Sequence, residues 1–301
     1  MKVITDIYDF SALPCAATVG SFDGVHCGHR AMLAELRAVA NEKGLPLMVV
    51  TFTRHPRLLF DGECEPFLLT TNDEKMALLD SMGVDYCVLL DFDSCMAAMS
   101  AGRFMKEVLV GQLGVQLLGV GYDHHFGSDR LVGFSEYEHV GNRVGLRVLR
   151  AYECLVDSLP VSSSRIRKLL ADAKIEYVNR LLGYTYSISG AVEHGRAIGS
   201  TIGFPTANIR LDSPKQLPAP GVYIVCANVD GVEYKALANI GTNPTVGNDY
   251  LSLEVHLLDF EGDLYDKRLV ISFQSFVREE KKFASLSELQ AQIKEDVKQL
   301  I

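Results

Sequence analysis

Apolar positions along the 301-residue chain keep one rhythm up to Gly183 and another after it. In the first part, short apolar runs alternate with segments whose apolar residues recur every three or four positions. Residues 16–19 read as a short buried strand. A helix over 30–43 carries Met32, Leu33, Leu36, Val39 and Ala40 on one face and is stopped by Gly44 and Pro46. Residues 47–52 (LMVVTF) are apolar throughout, as strands covered on both faces are. Helices near 74–82, 101–113 and 135–143 then alternate with strands at 86–91, 116–120 and 146–150. Such an order predicts an α/β domain built on a doubly wound, Rossmann-like parallel sheet, with ligands at the carboxyl ends of its strands. Residues 162–170 and 175–182 read as two further helices leading out of that domain.

After Gly183 the pattern becomes that of antiparallel strands. Residues 184–192 alternate, and 222–229 and 232–240 flank Asp230-Gly231, a hairpin signal. Residues 251–258 and 268–276 add two more strands, and short turns join them all. This predicts a small, mainly antiparallel β-barrel. A C-terminal helix follows, with a Ser285/Glu288 capping box and Leu286, Leu289, Ile293 and Val297 on one face. The expected domains are 1–183 and 184–301.

Composition narrows the function classes. The chain is 48% hydrophobic and 22% charged, the balance of a globular protein. Its net charge of −9 is spread evenly: 18 basic and 23 acidic residues up to Gly183, 11 and 15 after it. Neither part has the basic surplus that phosphate-backbone binding needs, so no nucleic-acid partner is expected. No apolar stretch reaches the roughly 18 residues that span a bilayer, and no signal peptide is read, so no membrane association is expected. Seven cysteines without a CxxC pair read as reduced thiols of a cytoplasmic protein.

Candidate chemistry begins at residues 15–29, CAATVGSFDGVHCGH. A strand ending in Gly20 and a helix opening after Gly28 direct backbone N–H groups and a helix N-terminus to one place, an anion site by construction. His26 and His29 flank a glycine at that junction. They could be two of four zinc ligands, although no further ligands stand at suitable spacing. One could cap the helix or pack in the core. Both could donate to a phosphate whose charge grows in a transition state.

Residues 20–29 resemble the HxGH signature of the nucleotidyltransferase superfamily, in the form carried by prokaryotic flavin adenine dinucleotide (FAD) synthetases. Three other segments share the resemblance: 162–167 (SSSRIR), 121–127 (GYDHHFG) and 51–56 (TFTRHP). It implies that His26, His29, Arg165 and Arg167 act on the ATP phosphates. It also implies that Gly20, Ser21, Phe22, Asp23, Gly24, Gly28, Ser163 and Ser164 line them, and that His55, Asp123 and Phe126 lie near the flavin. Arg54 and His124 depart from the family pattern there.

The second candidate is 194–208, HGRAIGSTIGFPTAN. Gly195, Gly199 and Gly203 let a loop fold tightly, and Thr206 and Asn208 present oxygens to one side of an extended segment, as a hard cation bound with phosphates needs. A polar turn between two strands is the plainer reading. Further on, Ser252, Glu254 and His256 share one face of a strand whose other face is apolar. The string GFPTAN at 203–208 resembles the signature of riboflavin kinases, and 239–245, 253–260 and 278–283 resemble other segments of that family; Ser200 departs from it. The resemblance implies ATP binding by Gly195, Gly199, Gly203 and Thr206, Mg²⁺ at Thr206 and Asn208, Glu254 as general base, and flavin contacts at Arg278 and Phe283.

Together the resemblances span nearly the whole chain. They imply two reactions: phosphorylation of riboflavin to flavin mononucleotide (FMN) in the barrel, and adenylylation of FMN to FAD in the first domain. The expected ligands are ATP, riboflavin, FMN, FAD and Mg²⁺, on a monomer or weak homo-oligomer. Two other readings stay open, namely that one domain is silent, or that the chain is a flavin- or nucleotide-binding regulator without turnover.

Overall fold

A computed structural model describes residues 1–56, 68–122, 126–129, 131, 133–195, 198–211, 214–242 and 251–300. The apolar runs of the first part form five strands, β2 (Cys15–Val19), β3 (Leu47–Phe52), β4 (Tyr86–Leu90), β5 (Val115–Val120) and β6 (Arg147–Arg150), which with β1 (Lys2–Ile4) make a six-stranded parallel sheet. Their order is β1-β4-β3-β2-β5-β6. The chain winds outward from β2 through β3 and β4, then returns to the other side of β2 with β5. The switch point therefore lies between β2 and β5, where loops leaving both strands border one crevice. All five residues of β2 are buried, as its central place requires.

Helices cover both faces. On one, α1 (Cys27–Glu42) buries Met32, Leu33, Leu36 and Ala40 against the sheet. α2 (Asn72–Ser81) opens with a capping box between Thr71 and Glu74. Among the described residues, the remaining helices of this part are α3 (Ser94–Ala97), α4 (Ala101–Phe104) and α5 (Phe134–Arg143). The helix expected over 101–113 passes after Phe104 into a π-helical run, Met105–Gln112. β1, α3 and the exposed hairpin of β7 (Leu155–Val156) and β8 (Leu159–Pro160) have no counterpart in the apolar pattern. Each is too short to show a period.

The second part closes into a barrel of six antiparallel strands, in the order β10-β13-β12-β11-β14-β9. The strands are β9 (Ser187–Glu193), β10 (Ala207–Leu211), β11 (Gly221–Val229), β12 (Val232–Thr242), β13 (Leu251–Leu257) and β14 (Arg268–Arg278). Alternation in β11 from Tyr223 onward and along β13 sends one face inward, where Tyr223 meets Phe273 edge-on at 5.4 Å. The Tyr223 hydroxyl donates to the carbonyl of Ala219 at 2.6 Å, and desolvation raises its pKa. Between β9 and β10 lies a single turn, α8 (Ile198–Thr201), and α9 (Leu286–Lys298) follows the barrel.

Compact units divide at Ser162/Ser163, so that Ser163–Ile301 with Pro66–Leu69 forms one and the remainder the other. The two helices expected to lead out of the first domain, α6 (Ser163–Ala171) and α7 (Ile175–Leu182), are in the barrel's unit. Side-chain hydrogen bonds explain why. Asn179 donates to the carbonyl of Phe273 and accepts from the amide of Tyr186, and Gln216 donates to the carbonyl of Arg167, all at 2.8–2.9 Å.

Helix α9 is fixed to the barrel by an ion pair. Arg278 donates from Nη2 and Nε to the Asp296 carboxylate at 2.8 and 3.1 Å, and Asp296 is 1% exposed. Removing one partner of such a pair strands the other's charge. Asp296→Ala should cost about 3 kcal/mol, checked by urea denaturation of the full chain. A second expectation concerns thiols. Burial pushes Cys15 and Cys87 from 9.0 up to about 12. Both stay neutral in the folded state but ionise on unfolding, so their contribution is whole below pH 9 and lost as pH rises from 9 toward 12. Denaturation midpoints should fall over that range. Iodoacetamide near about pH 8.5 should label the exposed Cys95 while sparing both buried thiols until the chain unfolds.

Candidate functional sites

In the first unit, the chain leaves β2 through a turn at 20–25 and enters α1. Helix α1 begins at Cys27, so His26 is its N-cap and His29 lies in its first turn. The Nδ1 of His26 accepts from the amide of His29 at 3.3 Å, which leaves the ring proton of a neutral His26 on Nε2. One of the readings weighed for these histidines, a helix cap, is thus realised by His26. The two imidazoles also stack, with centroids 3.7 Å apart and planes 14° from parallel. Gly28 permits this. A Cβ there would lie 3.1 Å from Cε1 and Nδ1 of the His26 ring. Among the described residues no group of three or more His, Cys, Asp or Glu side chains could hold a metal, so the zinc reading gains no further ligands.

The turn itself is unusual backbone. Phe22, Gly24 and Val25 have φ of 51°, 82° and 35°, and Phe22 and Val25 are buried. Phe22 tilts its ring on His29 at 4.9 Å. Gly20 donates to the carbonyl of Val50 at 3.0 Å, joining the turn to β3. Asp23, 3% exposed, accepts from the amide of Thr70 at 3.2 Å, and the amide of Gly24 donates to the Thr70 hydroxyl at 3.0 Å. The carbonyl of Ser21 receives both the Thr51 hydroxyl (3.1 Å) and the Lys75 ammonium (3.3 Å). Thr70 and Lys75 stand far outside the motif, and nothing in their spacing signals a role.

Of the flavin candidates, His55 is half-buried just beyond the end of β3. The ring of Phe126 packs on Phe104 and Tyr137 at 5.7 and 4.8 Å, and its backbone amide and carbonyl both bond the Tyr137 hydroxyl at 2.9 Å. Asp123 and His124 lie outside the described residues. Arg54 is exposed.

Ser163, Ser164, Arg165 and Arg167 occupy the first turn and a half of α6, within the second unit. Arg165 donates to the Tyr177 hydroxyl at 2.6 Å and lies over that ring, and Arg167 donates to the Ser164 hydroxyl at 3.4 Å.

On the barrel, Glu254 faces outward from β13, as the alternation predicts. Register brings Asn208 of β10 and Asn239 of β12 level with it on either side. The Thr206 hydroxyl donates to Glu254 at 3.4 Å. Thr206, Asn208 and Glu254 are therefore one constellation. Their oxygens are the hard donors a divalent cation takes alongside phosphates. Gly195 lies against Asn208, and a Cβ there would fall 2.0 Å from the carboxamide nitrogen. Gly199 accepts from the amides of Ile202 and Phe204 at 3.2 and 2.8 Å, which folds 199–204, including Gly203, into a tight turn.

Two side chains to which the sequence assigns no such role brace this turn. His256 donates from Nδ1 to the carbonyl of Pro205 at 2.8 Å, and Gln290 of α9 donates to the carbonyl of Ile202 at 2.9 Å. Arg278 is committed to Asp296 and lies 5.9 Å from the ring of Phe283. The side chain of Ser200 is outside the described set.

Comparison with known proteins covers both units. The FAD synthetase family matches residues 11–165, and the riboflavin kinase family matches residues 182–301. A bifunctional riboflavin kinase/FMN adenylyltransferase of Pseudomonas fluorescens is 44% identical over 284 residues, 94% of this chain and 91% of that protein. Its namesake in Escherichia coli K12 is 40% identical over 302 aligned positions, 98% of this chain and 96% of that protein. A crystal structure described as a macrolide-efflux protein from Streptococcus pneumoniae superposes with a TM-score of 0.89 at 30% identity, over 98% of this chain and 97% of that one. No helix among the described residues is long and apolar enough to cross a membrane.

Proposed function

Because the chain belongs to the family of bifunctional riboflavin kinases and FMN adenylyltransferases, we propose a division of labour between its residues, with the two activities meeting at Gly183. The chain phosphorylates riboflavin to FMN and adenylylates FMN to FAD, consuming ATP in each step. In the second reaction an FMN phosphate oxygen attacks the α-phosphorus of ATP in line, and the bond to the pyrophosphate oxygen breaks. No group on the protein is modified, so the residues contribute position and charge.

The single observation that carries this assignment is the stacked histidine pair at the start of α1. With Nδ1 of His26 occupied by the helix amide, Nε2–H is the donor that the ring can offer to a transferring phosphate. His29 stands parallel to it, and the turn at Gly20, Ser21, Phe22, Asp23 and Gly24, with Gly28, supplies the surrounding backbone. Ser163, Ser164, Arg165 and Arg167 serve the leaving pyrophosphate. His55, Asp123 and Phe126 serve the flavin.

In the barrel, Glu254 accepts the proton of the riboflavin 5′-hydroxyl as that oxygen attacks the γ-phosphorus of ATP, and the bond to the β–γ bridging oxygen breaks to release ADP. The hydrogen bond from Thr206 supports this by orienting the carboxylate. Gly195, Gly199, Gly203 and Thr206 surround the phosphates, while Arg278 and Phe283 flank the flavin. Thr206 and Asn208, together with the phosphates, would hold Mg²⁺, which would shield the phosphate charge. We further propose a cytoplasmic enzyme, a monomer or weak homo-oligomer, that binds no nucleic acid and no membrane.

The assay supplies riboflavin, ATP and Mg²⁺ and separates the flavins. FMN is expected first and FAD later. His29→Ala should abolish FAD while FMN still accumulates, and Glu254→Gln should stop FMN formation while supplied FMN is still converted to FAD. FAD synthesis unchanged in His29→Ala would remove the phosphate role. Gly195→Ala, which displaces Asn208, should lower riboflavin phosphorylation at least tenfold and leave adenylylation of supplied FMN unchanged.

A further inference from the structure

Lys75 is a buried cation that the two reactions, as assigned, do not use. It projects from the first turn of α2 and is 6% exposed. Its ammonium donates to three oxygens: the carbonyl of Ser21 at 3.3 Å, the hydroxyl of Thr51 at 3.2 Å and the carbonyl of Phe52 at 3.3 Å. Burial lowers its pKa, and the carboxylate of Asp23 opposes that shift. The partner set fits the ammonium rather than the amine. Three acceptors meet three N–H bonds, and the Thr51 proton is already spent on Ser21. A neutral amine would turn a lone pair toward one of these oxygens.

We propose that Lys75 is a positioning residue for adenylyl transfer, holding the turn between β2 and α1 so that its amides face the ATP phosphates. The proposal rests on the assignment of the first-unit site to that turn. The carbonyl of Ser21 receives two donors from the same side, Lys75 and Thr51, which uses its acceptor capacity within the protein. In a trans peptide C=O and N–H point in opposite directions. Pinning the Ser21 oxygen to Lys75 therefore aims the amide of Phe22 away from the ammonium. The same peptide unit leads into Phe22 at φ 51°, whose ring lies on His29. One buried charge thus sets both an outward amide and the aromatic support of a phosphate-facing histidine. It also polarises that amide, since a cation behind the carbonyl strengthens the dipole whose positive end points outward. The ammonium needs no contact with the nucleotide to do this.

The test measures steady-state FAD formation by the full chain, varying ATP and FMN separately, for Lys75→Met, Lys75→Arg and Thr51→Val, with His29→Ala in parallel. Lys75→Met should raise KM for ATP at least tenfold and lower kcat at least tenfold, with KM for FMN and the riboflavin kinase rate within twofold of the parent. Lys75→Arg should recover part of the loss. Thr51→Val, which removes the second donor to Ser21 but keeps the charge, should raise KM for ATP by a smaller factor. Parent-like KM for ATP and kcat in Lys75→Met, or equal loss toward ATP and FMN, would overturn the proposal. If Lys75→Met does not fold, judged by its thermal unfolding, Thr51→Val decides alone, and an unchanged KM for ATP sinks the idea. If His29→Ala keeps FAD synthesis, the assignment of the site has failed instead.

Discussion

Two side chains, Phe22 and Val25, are held buried with positive φ between β2 and α1, and the geometry of the candidate site in the first unit depends on that constraint being met. Left-handed backbone at non-glycine residues costs on the order of 1–3 kcal/mol each and persists only where the surroundings over-determine it. Here they do. Asp23, Gly24 and Ser21 are each tied to Thr70, Thr51 or Lys75, while Gly20 bonds β3. The parallel sheet brings β2 and β3 side by side, and α2 delivers the lysine. His26 then closes the arrangement by capping α1 with the ring it also stacks on His29. A histidine doing both has little rotational freedom left, which is what pre-organised charge stabilisation requires.

The barrel solves a similar problem with a regular sheet. Its inward residues make the core, and its outward positions on three adjacent strands carry Asn208, Glu254 and Asn239 in one row. The chemistry proposed for this outer face needs a cover. The glycine turn at 199–204 is held by hydrogen bonds from His256 and from Gln290 of α9. Helix α9 is itself fixed by Arg278 and Asp296, so the guanidinium expected to meet the flavin first secures the helix that braces the loop.

Much of this was legible because period and punctuation survive folding. The buried run 47–52, the 3.6 rhythm of α1, the Asp230-Gly231 hairpin and the outward face of Glu254 all appear in the structure where the pattern put them. The motif histidines were visible as a pair, but their mutual stacking and the cap were not, since the rotamer of His26 depends on the missing side chain of Gly28. Residues that act through distant partners left no trace. Lys75 reads as an ordinary helical lysine until Ser21 is known to lie beside it, and Asn239 becomes level with Glu254 only through pairing between strands. The place of α6 and α7 was likewise hidden, because the groups that decide it, Asn179 and Gln216, bond to backbone carbonyls that any sequence would supply.

The ties on the 20–25 turn also bear on how the site comes into being as the chain is synthesised. Asp23 and Gly24 reach forward 47 and 46 positions to Thr70, and Ser21 reaches 54 to Lys75. Loop closure over such spans comes late compared with the formation of α1, whose contacts are local. A nascent chain that has just exposed the histidine motif therefore carries the letters of the site without its geometry. The turn acquires its shape only when some fifty further residues have emerged and α2 has docked, which makes the loop before α1 a reporter of domain completion rather than a seed for it.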